Sequence, residues 1–155
     1  MKLSLRCEYA LRALISLGQS YNERVVRIQS ISTQQNIPQR FLEQILNDLK
    51  SGGFVESKRG IAGGYRLAKP PEEITMAPVI RHIEGKLVPD VTLGEKSPRG
   101  RLHRQSDGAN RAIHSVMKDV VDAIVKVLDQ VTLADLCERA RRMSDGGNTS
   151  TDYSI

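Results

Sequence analysis

The chain has 155 residues, 39% hydrophobic and only 4% aromatic, with no Trp; that allows one compact domain with a thin aliphatic core, plus an arm that gains burial from a partner. The formal net charge of +5 is uneven, with 12 Lys and Arg against 8 Asp and Glu in residues 1–85 and 11 against 10 in the remainder, so the excess that favours a polyanion lies in the first half. There is no apolar run of roughly 18 residues and no charged-then-apolar leader, and the two cysteines, Cys7 and Cys137, share no CxxC spacing. These features argue against a membrane partner, a disulfide framework and a zinc site, and point to a soluble cytoplasmic protein.

Ser4 is a good N-cap, and Tyr9, Ala10, Ala13, Leu14 and Leu17 recur at helical spacing to about Gln19, where Gly18 and polar residues supply the stop. Val25 and Val26 form a short apolar pair suited to a small strand. A second helix over residues 28–35 turns Ile28 and Ile31 inward, and Asn36 and Pro38 end it. Pro38 suits the first turn of the next helix. There Phe41, Leu42, Ile45, Leu46 and Leu49 make an apolar stripe, and Gln39, Arg40, Glu43, Gln44, Asn47 and Lys50 take the other face. Gly52 and Gly53 close it.

The pattern then changes to strands over residues 54–58 and 65–67, flanking a glycine-rich loop over 59–64. Pro70 and Pro71 end this unit, and residues 77–84 form a short helix with Val79, Ile80 and Ile83 inward. Residues 86–110 are polar and basic without periodicity. Beyond them Ile113, Met117, Val120, Ile124, Val127 and Val131 step by three and four as the seam of one long helix, which Val116, Val121 and Val125 widen. Thr132 and Asp135 resemble a capping box that restarts a helix to about Arg142. The expected fold class is mostly α with a small β-wing: a winged helix-turn-helix DNA-binding domain (1–85), a flexible basic loop (86–110), long dimerisation helices (111–143) and a disordered tail (144–155).

Helix, sharp turn, helix and hairpin is an order that places the polar face of the third helix in a major groove. Glu43 accepts from cytosine N4, while Gln39, Arg40 and Gln44 donate to base edges or phosphates. Arg59 at the hairpin tip is placed for a minor groove, and Lys58 and Arg66 for phosphates. A nucleotide-phosphate loop is disfavoured, because residues 59–64 join two strands and no Lys-Ser/Thr follows. Catalysis is disfavoured too: His82, His103 and His114 keep no nucleophile or acid–base spacing. A dimeric protein–protein adaptor without DNA binding is the alternative.

The sequence resembles the bacterial Rrf2-type winged-helix transcription regulators, the family that includes IscR, NsrR and CymR. The matching pieces are residues 9–14, 41–46 with Leu49, 57–60 and 63–67, followed by 83–85 and 131–136. The resemblance implies a homodimer joined through its long helices on a palindromic operator, with base reading by Glu43 and minor-groove insertion by Arg59. A repressor is the expected sense, and a small-molecule or protein effector the expected input. Cluster-binding relatives carry three cysteines in the segment that here spans 86–110, which has none. Glu8 and His114 fall where relatives place other ligands, but two such donors do not hold a conventional iron–sulfur cluster, so no cofactor is expected. Cys7, near Arg6 and Arg12, and Cys137, near a partner's first helix, are redox candidates beside the plainer reading of buried structural thiols.

Overall fold

The structure, a computed structural model, describes residues 2–22, 25–87 and 107–147. Six helices and one hairpin make up the described chain: α1 (Leu5–Gln19), α2 (Ile28–Gln35), α3 (Gln39–Ser51), β1 (Val55–Lys58), β2 (Gly64–Leu67), a 3-10 turn (Pro71–Glu73), α4 (Met76–Glu84), α5 (Asp107–Gln130) and α6 (Leu133–Gly147). This is the mostly helical fold with a small β-wing expected from the sequence. Most of the basic loop and residues 148–155 of the tail lie outside the described residues. Two boundaries move: α5 already includes residues 107–110, and α6 carries on through residues 144–147, which were expected to be disordered.

Local chemistry explains the first three helices. Ser4 caps α1, its hydroxyl accepting from the Cys7 amide at 3.1 Å. Asn36 ends α2 in the left-handed region, φ 52°, which Asn tolerates better than most side chains. Pro38 caps α3 from outside its first turn, its carbonyl accepting from Phe41 and Leu42. Leu42, Ile45, Leu46 and Leu49 are buried, but Phe41 is 54% exposed and does not belong to the core stripe. The four buried positions follow i, i+3, i+4 and i+7, a single face; Phe41 lies one position round the helix from it.

Strands β1 and β2 pair antiparallel from Val55 with Leu67 to Lys58 with Gly64. Where the sequence suggested a small strand at Val25–Val26, Val26 alone joins this hairpin as an isolated bridge: its amide and carbonyl each bond Tyr65 at 2.8 Å. That approach dictates Gly64, because a Cβ there would lie 2.4 Å from the Val26 carbonyl oxygen.

The core joins α1, α2, α3 and α4 with Leu133 from α6, which is fully buried. Burying a leucine stabilises by about 1.5–3 kcal/mol relative to leaving it in water, so α6 is fastened to the head. It packs along α1 and the 3-10 turn of its own chain, whereas the sequence grouped it with α5 in a dimerisation arm. The junction before it is stitched to the head by two backbone bonds, Met76 to Val131 at 3.0 Å and Leu133 to Ile74 at 2.7 Å. The capping box is present: the Thr132 amide donates to Asp135 at 3.0 Å, and the Asp135 amide donates to the Thr132 hydroxyl at 3.1 Å.

Along α5 the apolar residues divide between two adjoining faces. Met117, Val121, Ile124, Val125 and Leu128 are half-buried, and the helix packs on α4. Ile113, Val116, Val120 and Val127 stand bare, between 46% and 60% exposed.

Candidate nucleic-acid interface

With its apolar stripe buried, α3 turns Gln39, Arg40, Glu43, Gln44, Asn47 and Lys50 outward, and all six are exposed. They lie on one side at helical spacing, as a major-groove reader requires. Lys50, in the last turn, donates to the Ser57 hydroxyl on β1 at 2.7 Å. That contact joins the helix to the wing.

Between α3, the start of α2 and the wing lies a groove of about 480 Å³. Arg27, Lys50, Lys58 and Arg59 bring four cations to it, and Ile28, Gln29, Asn47, Gly60 and Tyr65 also line it. Arg27 is the cap residue of α2, yet its side chain does not cap the helix; its guanidinium donates instead to the Ile61 carbonyl at 3.1 Å. The wing tip is thereby held over the first turn of α2. Ile61 itself is 97% exposed at that tip, beside the exposed Arg59.

Of the residues singled out in the sequence, Gln39, Arg40, Glu43 and Gln44 share the outward face of α3, and Lys58 and Arg59 line the groove. Arg66 does not line it. Its Nε donates to Glu56 across the strands at 3.1 Å, so the phosphate role expected of it meets a carboxylate already in place. Arg27, Gln29, Asn47 and Lys50 line the groove without having been assigned a contact. All four come from the outward face of α3 or the start of α2, and the Val26–Tyr65 pairing with the Arg27–Ile61 bond brings that start beside the wing.

The remaining candidates do not assemble. Cys7 is fully buried under α1, and burial with the nearby Glu84 carboxylate pushes its thiol up to about 12, the opposite of what exposure to Arg6 and Arg12 would do. Cys137 is half-buried, its thiol 3.7 Å from the Ile15 carbonyl of the same chain and raised by burial. It therefore sits against its own α1, where the sequence reading set it near a partner's. Glu8 pairs with Arg12 at 2.5 Å, and His114 lies exposed on α5. Among the described residues no group of three His, Cys, Asp or Glu is disposed to hold a metal ion. One thiol in the core, one against α1 and none in residues 86–110 do not fit an iron–sulfur cluster, which needs a compact set of thiolate ligands.

The comparisons with known proteins agree with this geometry. A family model described as Rrf2, iron-dependent transcriptional regulator, matches residues 3–139. The HTH-type transcriptional regulator CymR of Bacillus subtilis is 32% identical over 136 residues, 88% of this chain and 89% of that protein. Its solved structure, titled as that of the global cysteine regulator, superposes with a TM-score of 0.71 at 31% identity, over 90% of this chain and 98% of that one. The IscR structure from T. potens gives 0.69 at 33% identity, over 90% and 88% of the two chains. The family model thus runs from the cap of α1 into α6, across the α3 face and the wing, and the same helices and hairpin recur in two solved regulators: the chain belongs to the Rrf2 family and is a DNA-binding transcription regulator of the winged-helix class.

Proposed function

We propose that two copies of the chain bind one palindromic operator. Glu43, with Gln39, Arg40 and Gln44, reads bases in the major groove, and Arg59 enters the adjacent minor groove. The observation that carries this reading is the convergence of the outward α3 face and the wing on one groove lined by four cations. Phosphates there meet Arg27, Lys50 and Lys58 together with the start of α2, whose dipole favours an anion. The bare apolar residues of α5 supply the surface for the second copy, since exposed a/d-type positions gain burial only from a facing helix. Repression follows where such an operator overlaps a promoter, and the cytoplasm is the compartment that holds DNA in a bacterium.

The test is selection of genomic fragments bound by the purified protein, followed by titration of one selected site with Glu43→Ala and Arg59→Ala. A two-fold symmetric motif whose binding both variants weaken is the expected result. An adaptor that does not bind DNA would return no enriched motif and would lose nothing in either variant.

A further inference from the structure

The last turn of α4 holds two polar ties that the DNA-reading surface does not explain. His82 Nε2 lies 2.7 Å from the Asp48 carbonyl and 3.2 Å from the Ser51 hydroxyl, both in the last turns of α3. A carbonyl only accepts, so Nε2 carries the proton and donates to it. The ring also meets Phe54 edge-on, centroids 5.8 Å apart. These rings leave no room at Gly52, where a Cβ would lie 2.6 Å from Phe54 and 2.9 Å from His82. Two residues beyond His82, Glu84 accepts from the Ser4 amide at 3.0 Å and from its hydroxyl at 2.5 Å. Arg6, in the first turn of α1, pairs in turn with the Asp48 carboxylate. The ties close a ring from α4 to α3, from α3 to α1 and from α1 back to α4. Directly after Glu84, Gly85 adopts φ 80° and ends α4.

We propose that His82 is a positioning residue for DNA reading, and that α4 ends in a bracket that fixes the pitch of the recognition helix. Both His82 and the Arg6–Asp48 pair grip the C-terminal part of α3, while Leu42, Ile45 and Leu46 pack its other turns on the core, so the ties fix the angle at which the packed helix presents its reading residues. A tilt of about 10° at Asp48 carries Gln39, nine residues and roughly 14 Å away, through about 2 Å, enough to break a base hydrogen bond. Lys50 and its bond to Ser57 lie beside the same anchor, so the tilt reaches the wing as well. The proposal rests on reading α3 as the recognition helix.

His82 is exposed, so His82→Ala leaves the core intact, and His82→Gln restores an N–H donor. Two measurements are made on each full-length variant, with Arg6→Ala as a second route to the same anchor. One is amide hydrogen exchange at Gly52 and Phe54, which bond back to Asp48 and Leu49; the other is affinity for a selected operator and for random-sequence DNA. His82→Ala should speed exchange in that turn about tenfold and weaken operator binding about tenfold, with random-sequence binding unchanged. His82→Gln should recover most of both, and Arg6→Ala should repeat the loss. Unchanged exchange in His82→Ala overturns the bracket, as do an equal fall on operator and random DNA and a failure of Gln to rescue. If the wild-type protein selects no operator, the reading of α3 has failed, and the exchange measurement still decides whether the bracket holds.

Discussion

Removing Lys58 should change how DNA binding responds to salt more than how tightly the protein binds at low salt. Of the four cations lining the groove, Arg27, Lys50 and Lys58 are the ones proposed to meet phosphates, so the proposed dimer presents six. Each phosphate neutralised adds about −0.9 to the slope of log affinity against log salt, which puts the wild-type slope near −5 if all six engage. Raising salt from about 50 to 200 mM then costs about three powers of ten in affinity. Lys58→Ala withdraws one contact per head, and the slope should fall in magnitude by about 2. Arg66→Ala is the matched control. Its guanidinium is held by Glu56 on the neighbouring strand, and its loss should leave the slope within about half a unit. Fluorescence anisotropy on a labelled operator at five salt concentrations measures all three proteins. Equal slopes for Lys58→Ala and wild type would refute the assignment of the groove to the phosphate backbone, as would Arg66→Ala and Lys58→Ala falling together.

Gly64→Ala forces a methyl against the Val26 carbonyl and should destabilise the domain by about 1–3 kcal/mol, read as a lowered thermal midpoint; an unchanged midpoint would show that the wing yields freely. Val120→Glu puts a charge in the bare stripe of α5; if α5 forms the proposed dimer, sedimentation velocity at micromolar concentration should find dimer for the wild type and monomer for the variant. Cys7 should resist iodoacetamide at pH 8 in the native protein, since a thiol raised to about 12 is ionised to about one part in ten thousand there; native labelling at the rate of an unfolded control would contradict its burial. The Thr132 amide, with its hydroxyl, holds the Asp135 carboxyl below the usual range. The ionised form therefore favours the fold, and its stabilisation is present at neutral pH and lost as pH falls through the depressed value. Asp135→Asn should accordingly flatten the acid limb of a plot of stability against pH, and an identical limb would remove the cap from the account.

The elements legible in the sequence were those whose signals are local. Ser4, Asn36 and the Thr132–Asp135 pair announce helix ends by their own side-chain chemistry, and the buried face of α3 follows from spacing alone. Phe41 was misplaced because hydrophobicity marks a stripe but not its edges. The outward α3 face and the wing cations Lys58 and Arg59 were likewise visible as polar residues on a helix and a hairpin. Arg27 and Lys50 were not recognised as part of the groove, which exists only once Val26 has paired with Tyr65, 39 positions away. Arg66 shows the reverse: its charge was plain, but its neutralisation depends on the register that sets Glu56 opposite it. The place of α6 was hidden for a related reason, since amphipathic spacing does not say whose apolar surface a helix will cover.

The stitch between Ile74–Met76 and Val131–Leu133 has a consequence for the DNA rather than for the protein. It clamps each head to the end of α5, a rod of 24 residues and so about 36 Å long, close to one turn of B-DNA. In the proposed dimer, two heads joined through such rods would keep a set distance and phase, as the jaws of a caliper do. Five added base pairs between half-sites would turn the second one to the far side of the duplex, beyond the reach of its head. A genome searched by such a caliper would be screened for spacing as well as for sequence, and a lone half-site, however well matched, would hold only one jaw.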